Sequence, residues 1–219
     1  AGRAAAQRRP GERFLKGRIL ANFLHVGCGR QRKDRTTAGF NTPAWQECRL
    51  DIDRSVQPDI VGTITDMSLV ADASMDALYS SHNIEHLYPH EVPVALEEFH
   101  RVLCPEGFAV ITCPDLQSVA ELIAQDRLME AAYQSPAGPI SPLDILYGHR
   151  PAVAAGNLWM AHHSGFTLRS LMGAVREAGF VSVIGRRRAA PAYALWVIAT
   201  KTQQPESALR TLAAQHFPR

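Results

Sequence analysis

Leu24-His25-Val26-Gly27-Cys28-Gly29, followed about twenty residues later by Leu50-Asp51-Ile52-Asp53, decides the reading of this chain. The first stretch is a hydrophobic strand that runs into Gly-x-Gly; the second is a strand that ends on a carboxylate. Glycines at such a turn let the backbone approach a bound molecule closely, and a second-strand carboxylate can take both hydroxyls of a ribose. The pair predicts a pocket for an adenosine-containing ligand.

On either side of this pair, apolar periodicity alternates between strand and helix. Strands are predicted over Ile19–Val26, Glu47–Ile52, Asp59–Thr63, Met75–Ser80 and Phe108–Thr112, with two late ones over Val181–Ile184 and Leu195–Thr200. Between the fourth and fifth, Val92, Ala95, Leu96, Phe99, Val102 and Leu103 repeat at helical spacing. Further helices are predicted after Asp115 and from Thr167, an N-cap, to Gly179. Alternation of this kind predicts a mainly parallel sheet covered on both faces.

The segment 134–166 breaks the rhythm, with four prolines and four glycines around Tyr147, His149, Trp159, His162 and His163. Its apolar content predicts an ordered cap inserted over the sheet's carboxyl edge. Composition is that of a globular protein, 46% hydrophobic and 20% charged, and no apolar run is long enough to cross a bilayer. Cys28, Cys48, Cys104 and Cys113 show no zinc spacing and predict reduced thiols in a cytoplasm. Net charge is +2, yet residues 1–35 hold ten Lys/Arg against two acids. A basic arm over 1–18 is therefore expected, preceding one domain over 19–219, and it admits nucleic acid as a partner.

A dinucleotide fingerprint needs a third glycine and a helix aimed at a pyrophosphate. Here the third position is Arg32, no apolar stripe follows over 30–43, and no Walker loop occurs. A nucleoside without phosphate fits better, and S-adenosylmethionine is one. At this point the chain resembles the class I S-adenosylmethionine-dependent methyltransferases, in the broad group often labelled type 11. The resemblance spans roughly residues 19–200. It rests on the glycine loop, Leu50–Asp53, Ile64-Thr65-Asp66-Met67, Asp76–His82 with Glu85-His86-Leu87, Arg101–Gly107, and His163–Thr167 with Glu177–Phe180. It implies an α/β three-layer sandwich with a Rossmann-like, mostly parallel seven-stranded sheet and an antiparallel late strand. It also implies a cofactor site at His25, Val26, Gly27, Cys28, Gly29, Asp51, Ile52, Asp66, Met67, Ser81 and His82. In that family Asp51 would bind ribose and Asp66 the adenine amino group. The chain departs from the family at His25, Gln31, Cys104 and Glu106, where an acid, glycine, lysine and glycine are usual.

Methyl transfer to oxygen or nitrogen needs a base when the acceptor carries a proton, and His82 and His163 are the candidates. His82-Asn83-Ile84-Glu85-His86 also spells H-x-x-E-H, a metal-protease pattern. Since His82 ends a strand rather than sitting on a helix, no metal ligand is expected there. Arg186-Arg187-Arg188 is expected to be a solvated turn. The function expected is methylation of a small molecule; a nucleic-acid methyltransferase or a non-catalytic binding module are the alternatives.

Overall fold

The computed structural model describes residues 13–15 and 18–218, with side chains from Leu20 onward. Most of the expected basic arm therefore lies outside the described residues. Its described part, β1 (Arg13–Leu15), pairs antiparallel with the start of β2 (Arg18–Val26).

The main sheet continues through β3 (Trp45–Asp51), β4 (Ile60–Val61), β5 (Met75–Ser81) and β6 (Leu103–Pro114). Helix α1 (Val92–Val102) leads into β6, and α2 (Leu116–Ala124) leaves it. Then come the hairpin β7 (Tyr133–Ser135) and β8 (Gly138–Ile140), and the short helices α3 (Pro142–Tyr147) and α4 (Arg150–Ala154). Helix α5 (Leu168–Glu177), β9 (Ser182–Arg188), β10 (Ala194–Thr200) and α6 (Glu206–His216) complete the chain. Strand order is β4-β3-β2-β5-β6-β10-β9, with β10 antiparallel to both its neighbours. β2 through β6 are parallel, so the direction of winding reverses between β2 and β5. In open α/β sheets the crevice beyond that reversal is where ligands bind.

Phe23, Leu24, His25 and Val26 are all buried, as a strand covered on both faces requires. Alternate residues feed two cores. Leu24, Val26, Leu78 and Ile111 pack against the apolar stripes of α1 and α5. Phe23, Tyr79, Phe108 and Ile198 face the other way, onto Phe40 and α6. Each fully buried Leu or Phe contributes about 1.5–3 kcal/mol. No α-helix follows the glycine loop, only a single 3-10 turn at Lys33–Arg35. The place of a helix on the second face is taken by Phe40, stacked 4.3 Å from Phe23, and by the end of α6.

His216 closes this second core. It is 2% exposed, its Nδ1 lies 2.7 Å from Thr37 Oγ1, and burial pushes its pKa down to about 4 from 6.5. Between these values the unfolded chain binds a proton that the native ring refuses, so stability falls as pH drops from 6.5 toward 4, by up to about 3 kcal/mol. Melting temperature followed across this window should fall less steeply in His216→Gln than in the parent; equal slopes would contradict the assignment.

The late strand differs from expectation. Arg186–Arg188 are not a turn but the end of β9, an edge strand, where charge discourages pairing with other chains. Arg187 reaches back to the fully buried Asp115, Nε to Oδ2 2.7 Å, and so fixes the N-cap of α2.

Candidate functional site at the sheet's carboxyl edge

Gly27 and Gly29 both hold left-handed backbone, φ +57° and +51°, which other residues adopt at a cost. A Cβ on Gly27 would lie 2.4 Å from the Asn83 side chain, so loop and β5 exit meet here without room for more. Asp51, 8% exposed, anchors the loop: Oδ2 accepts from Gly29 N–H at 2.7 Å and Oδ1 from Asp53 N–H at 2.8 Å. Arg49, buried beneath, donates to the carbonyls of Gly29, Gln31 and Gln57. Glu47 accepts from Lys33 N–H at 3.0 Å. Side chains from β3 thus do what a helix after the loop would do.

The edge opens into a cleft of about 680 Å3, within the ~300–1,000 Å3 of small-molecule sites. Of the residues singled out from sequence, Gly27, Gly29, Asp51, Ile52, His82 and His163 border it. The others are placed elsewhere. The His25 ring lies on the far face of the sheet with Nδ1 2.8 Å from Glu47; Val26 and Met67 are in the main core. Cys28 is buried, which pushes its thiol up to about 11, and Ser81 is not in the lining. Asp66 turns away to accept from Ser68 N–H at 3.1 Å, and the Ser68 hydroxyl together with that N–H holds its carboxyl below the usual range. Met67 N–H already donates to Glu98 Oε2 at 2.7 Å. Beyond β4 the lining is instead Gly62–Thr65. Asn83, His86, Tyr88 and Trp159, none of them expected in the cofactor site, also line the cleft. The exposure of so large an apolar ring as Trp159, 64%, marks a rim.

A second cavity of about 310 Å3 adjoins the first, between Pro114, Tyr133, Ile140, Ile145 and Tyr193. His82, His86 and Met160 line both, so they stand at the seam. His82 is held at φ +48°, a conformation that costs a non-glycine residue ~1–2 kcal/mol and that collects at functional sites. Its Nδ1 lies 3.3 Å from Oε1 of Glu85, which is 1% exposed. Burial opposes charge on both groups, but their mutual contact outweighs it: His82 is shifted up and Glu85 down.

Residues 24–111 match the family described as Methyltransferase domain. No curated protein matches the chain. Solved structures do: the Burkholderia thailandensis 1,6-didemethyltoxoflavin-N1-methyltransferase, with bound 1,6-didemethyltoxoflavin and S-adenosylhomocysteine, is 17% identical over 84% of this chain and 72% of its own, TM-score 0.54. A Thermotoga maritima S-adenosylmethionine-dependent methyltransferase, described as a possible histamine N-methyltransferase, is 14% identical over 83% and 82%, TM-score 0.53. One from Methanosarcina mazei is 14% identical over 84% and 94%, TM-score 0.54. Among the described residues no helix is long and apolar enough to cross a membrane. The likeness to these structures shows a Rossmann-like methyltransferase fold, and the family match covers residues 24–111, from within β2 to within β6.

Proposed function

We propose that this protein transfers a methyl group from S-adenosylmethionine to a small molecule held in the 310 Å3 cavity. The observation that carries the reading is Asp51, a carboxylate at the cleft wall beside two glycines of positive φ. The residues present fit the cofactor. Asp51 has lone pairs to offer ribose hydroxyls, the loop from Gly27 to Gly29 leaves space for the amino-acid end, and Gly62–Thr65 replace Asp66 as the edge facing the base. When bound, S-adenosylmethionine supplies a methyl carbon on a sulfonium, open to in-line displacement. The chain's part is to orient the acceptor, exclude water and receive a proton. His82, at the seam, is placed to hold that proton on Nε2, and the Glu85 carboxylate, 3.3 Å from Nδ1, favours charge on the ring. His163, stacked 4.2 Å from Tyr88, closes the cleft side and acts by position.

The small size of the second cavity supports a compact acceptor over a polynucleotide. Incubating the protein with methyl-labelled S-adenosylmethionine and a cell extract tests this. Label should accumulate in the low-molecular-mass fraction and survive nuclease; label confined to a nuclease-sensitive fraction would overturn it.

A further inference from the structure

Among the described residues, Glu85, His86 and His162 each offer a ligand atom, and the three atoms lie within 4.8 Å of one another. We propose that these three side chains form a binding site for a divalent transition-metal ion at the seam between the two cavities.

Three observations support it. First, Glu85 is buried, and neither carboxylate oxygen has a hydrogen-bond partner; its nearest basic neighbour is His82 Nδ1 at 3.3 Å. A buried carboxylate left short of partners is costly unless a cation compensates it. Secondly, both histidines are held as metal ligands usually are. His86 Nδ1 lies 3.0 Å from Ala161 O and His162 Nδ1 lies 2.8 Å from Ile145 O. A carbonyl can only accept, so Nδ1 carries the proton and Nε2 keeps the lone pair in each neutral ring. Were the rings imidazolium, Nε2–H would donate to Glu85, and no such bond is made. Thirdly, the rings meet edge to face with centroids 4.8 Å apart, so both histidines stand together beside the carboxylate.

The donor set decides the class of ion. Two imidazoles and one carboxylate suit zinc and its first-row neighbours, whereas magnesium and calcium take oxygen ligands. Bonds of about 2.1 Å in a tetrahedral set put ligand atoms about 3.4 Å apart, so binding draws the three groups inward. Three protein ligands leave a position open, and Glu85, His86 and His162 all line the 310 Å3 cavity. A ligand there would meet the ion through an oxygen or nitrogen. If it is the methyl acceptor, the ion would favour its deprotonated form; that last step rests on the proposed methyl transfer, whereas the metal site does not. The ligands differ from the H-x-x-E-H pattern: His82, its first histidine, contacts Glu85 from outside the set.

The test is calorimetric titration of chelator-treated protein with zinc chloride, without S-adenosylmethionine. One zinc per chain should bind, at micromolar Kd or tighter. His162→Ala and Glu85→Gln should each weaken it at least 100-fold, while His100→Ala, on α1 against Phe180, should leave it unchanged. Cobalt substitution gives a second readout, with visible bands of a low-coordinate site present in the parent and lost in His162→Ala. Absence of saturable zinc binding, or parent-like affinity in both ligand variants, would overturn the site. Either result leaves S-adenosylhomocysteine binding, measured separately, to judge the cofactor reading.

Discussion

Asp51→Asn is expected to weaken S-adenosylhomocysteine binding by about 100-fold. A carboxylate that takes two ribose hydroxyls makes charge-assisted hydrogen bonds of about 1.5–3 kcal/mol each, and an amide keeps one acceptor while losing the charge. A loss near 3 kcal/mol corresponds to about a hundredfold in Kd. The substitution also touches the fold, because Asp51 accepts from both Gly29 and Asp53. One N–H loses its acceptor, at about 1–3 kcal/mol, so melting temperature should fall while circular dichroism stays native. Asparagine has nearly the same volume, which keeps the cleft wall in place. Undiminished affinity in a folded variant would remove Asp51 from the site.

Gly148→Ala is expected to be the most damaging exchange among the glycines of the segment over the cleft. Its φ of +93° is closed to other residues, and a Cβ would lie 1.9 Å from Met160 O and 2.8 Å from Met160 C. Both obstacles are backbone, so neither can swing aside as a side chain would. Strain of about 1–3 kcal/mol adds to overpacking of similar size. The simplest relief is separation of the Gly148–Ala161 bridge, which also carries Tyr147 O to His162 N–H. We propose that residues 134–166 act as a cap; on that reading the variant should be cut faster by protease between α3 and α5 and should bind cofactor more weakly. Gly156→Ala is the control: the same φ, but nothing within 4 Å of the added methyl. Equal protease sensitivity and equal Tm in the two variants would contradict the role given to Gly148.

Much of the sheet is legible in the sequence because its strands are buried on both faces. Runs such as Phe23–Val26 and Phe108–Thr112 leave little choice of structure, and α1 shows its stripe plainly. The winding reversal then follows from right-handed crossovers, and with it the edge where Gly27 and Asp51 meet. What stayed hidden depends on partners distant in the chain. Arg187 looks like surface charge until Asp115, 72 residues away, is beside it. Thr37 and His216 close a core from 179 residues apart. Glu85 and His86 are neighbours in sequence, but His162 joins them only through the fold. Asp66 lies outside the cleft lining for a local reason: Ser68, two residues on, holds the carboxylate as a turn cap.

An edge between β2 and β3 shaped for a nucleoside lacking phosphate should distinguish two ligands in parallel titrations of the unaltered protein. S-adenosylhomocysteine should bind once per chain in the micromolar range, with no detectable heat from NAD+ at millimolar concentration. Saturable NAD+ binding with no response to S-adenosylhomocysteine would contradict the account.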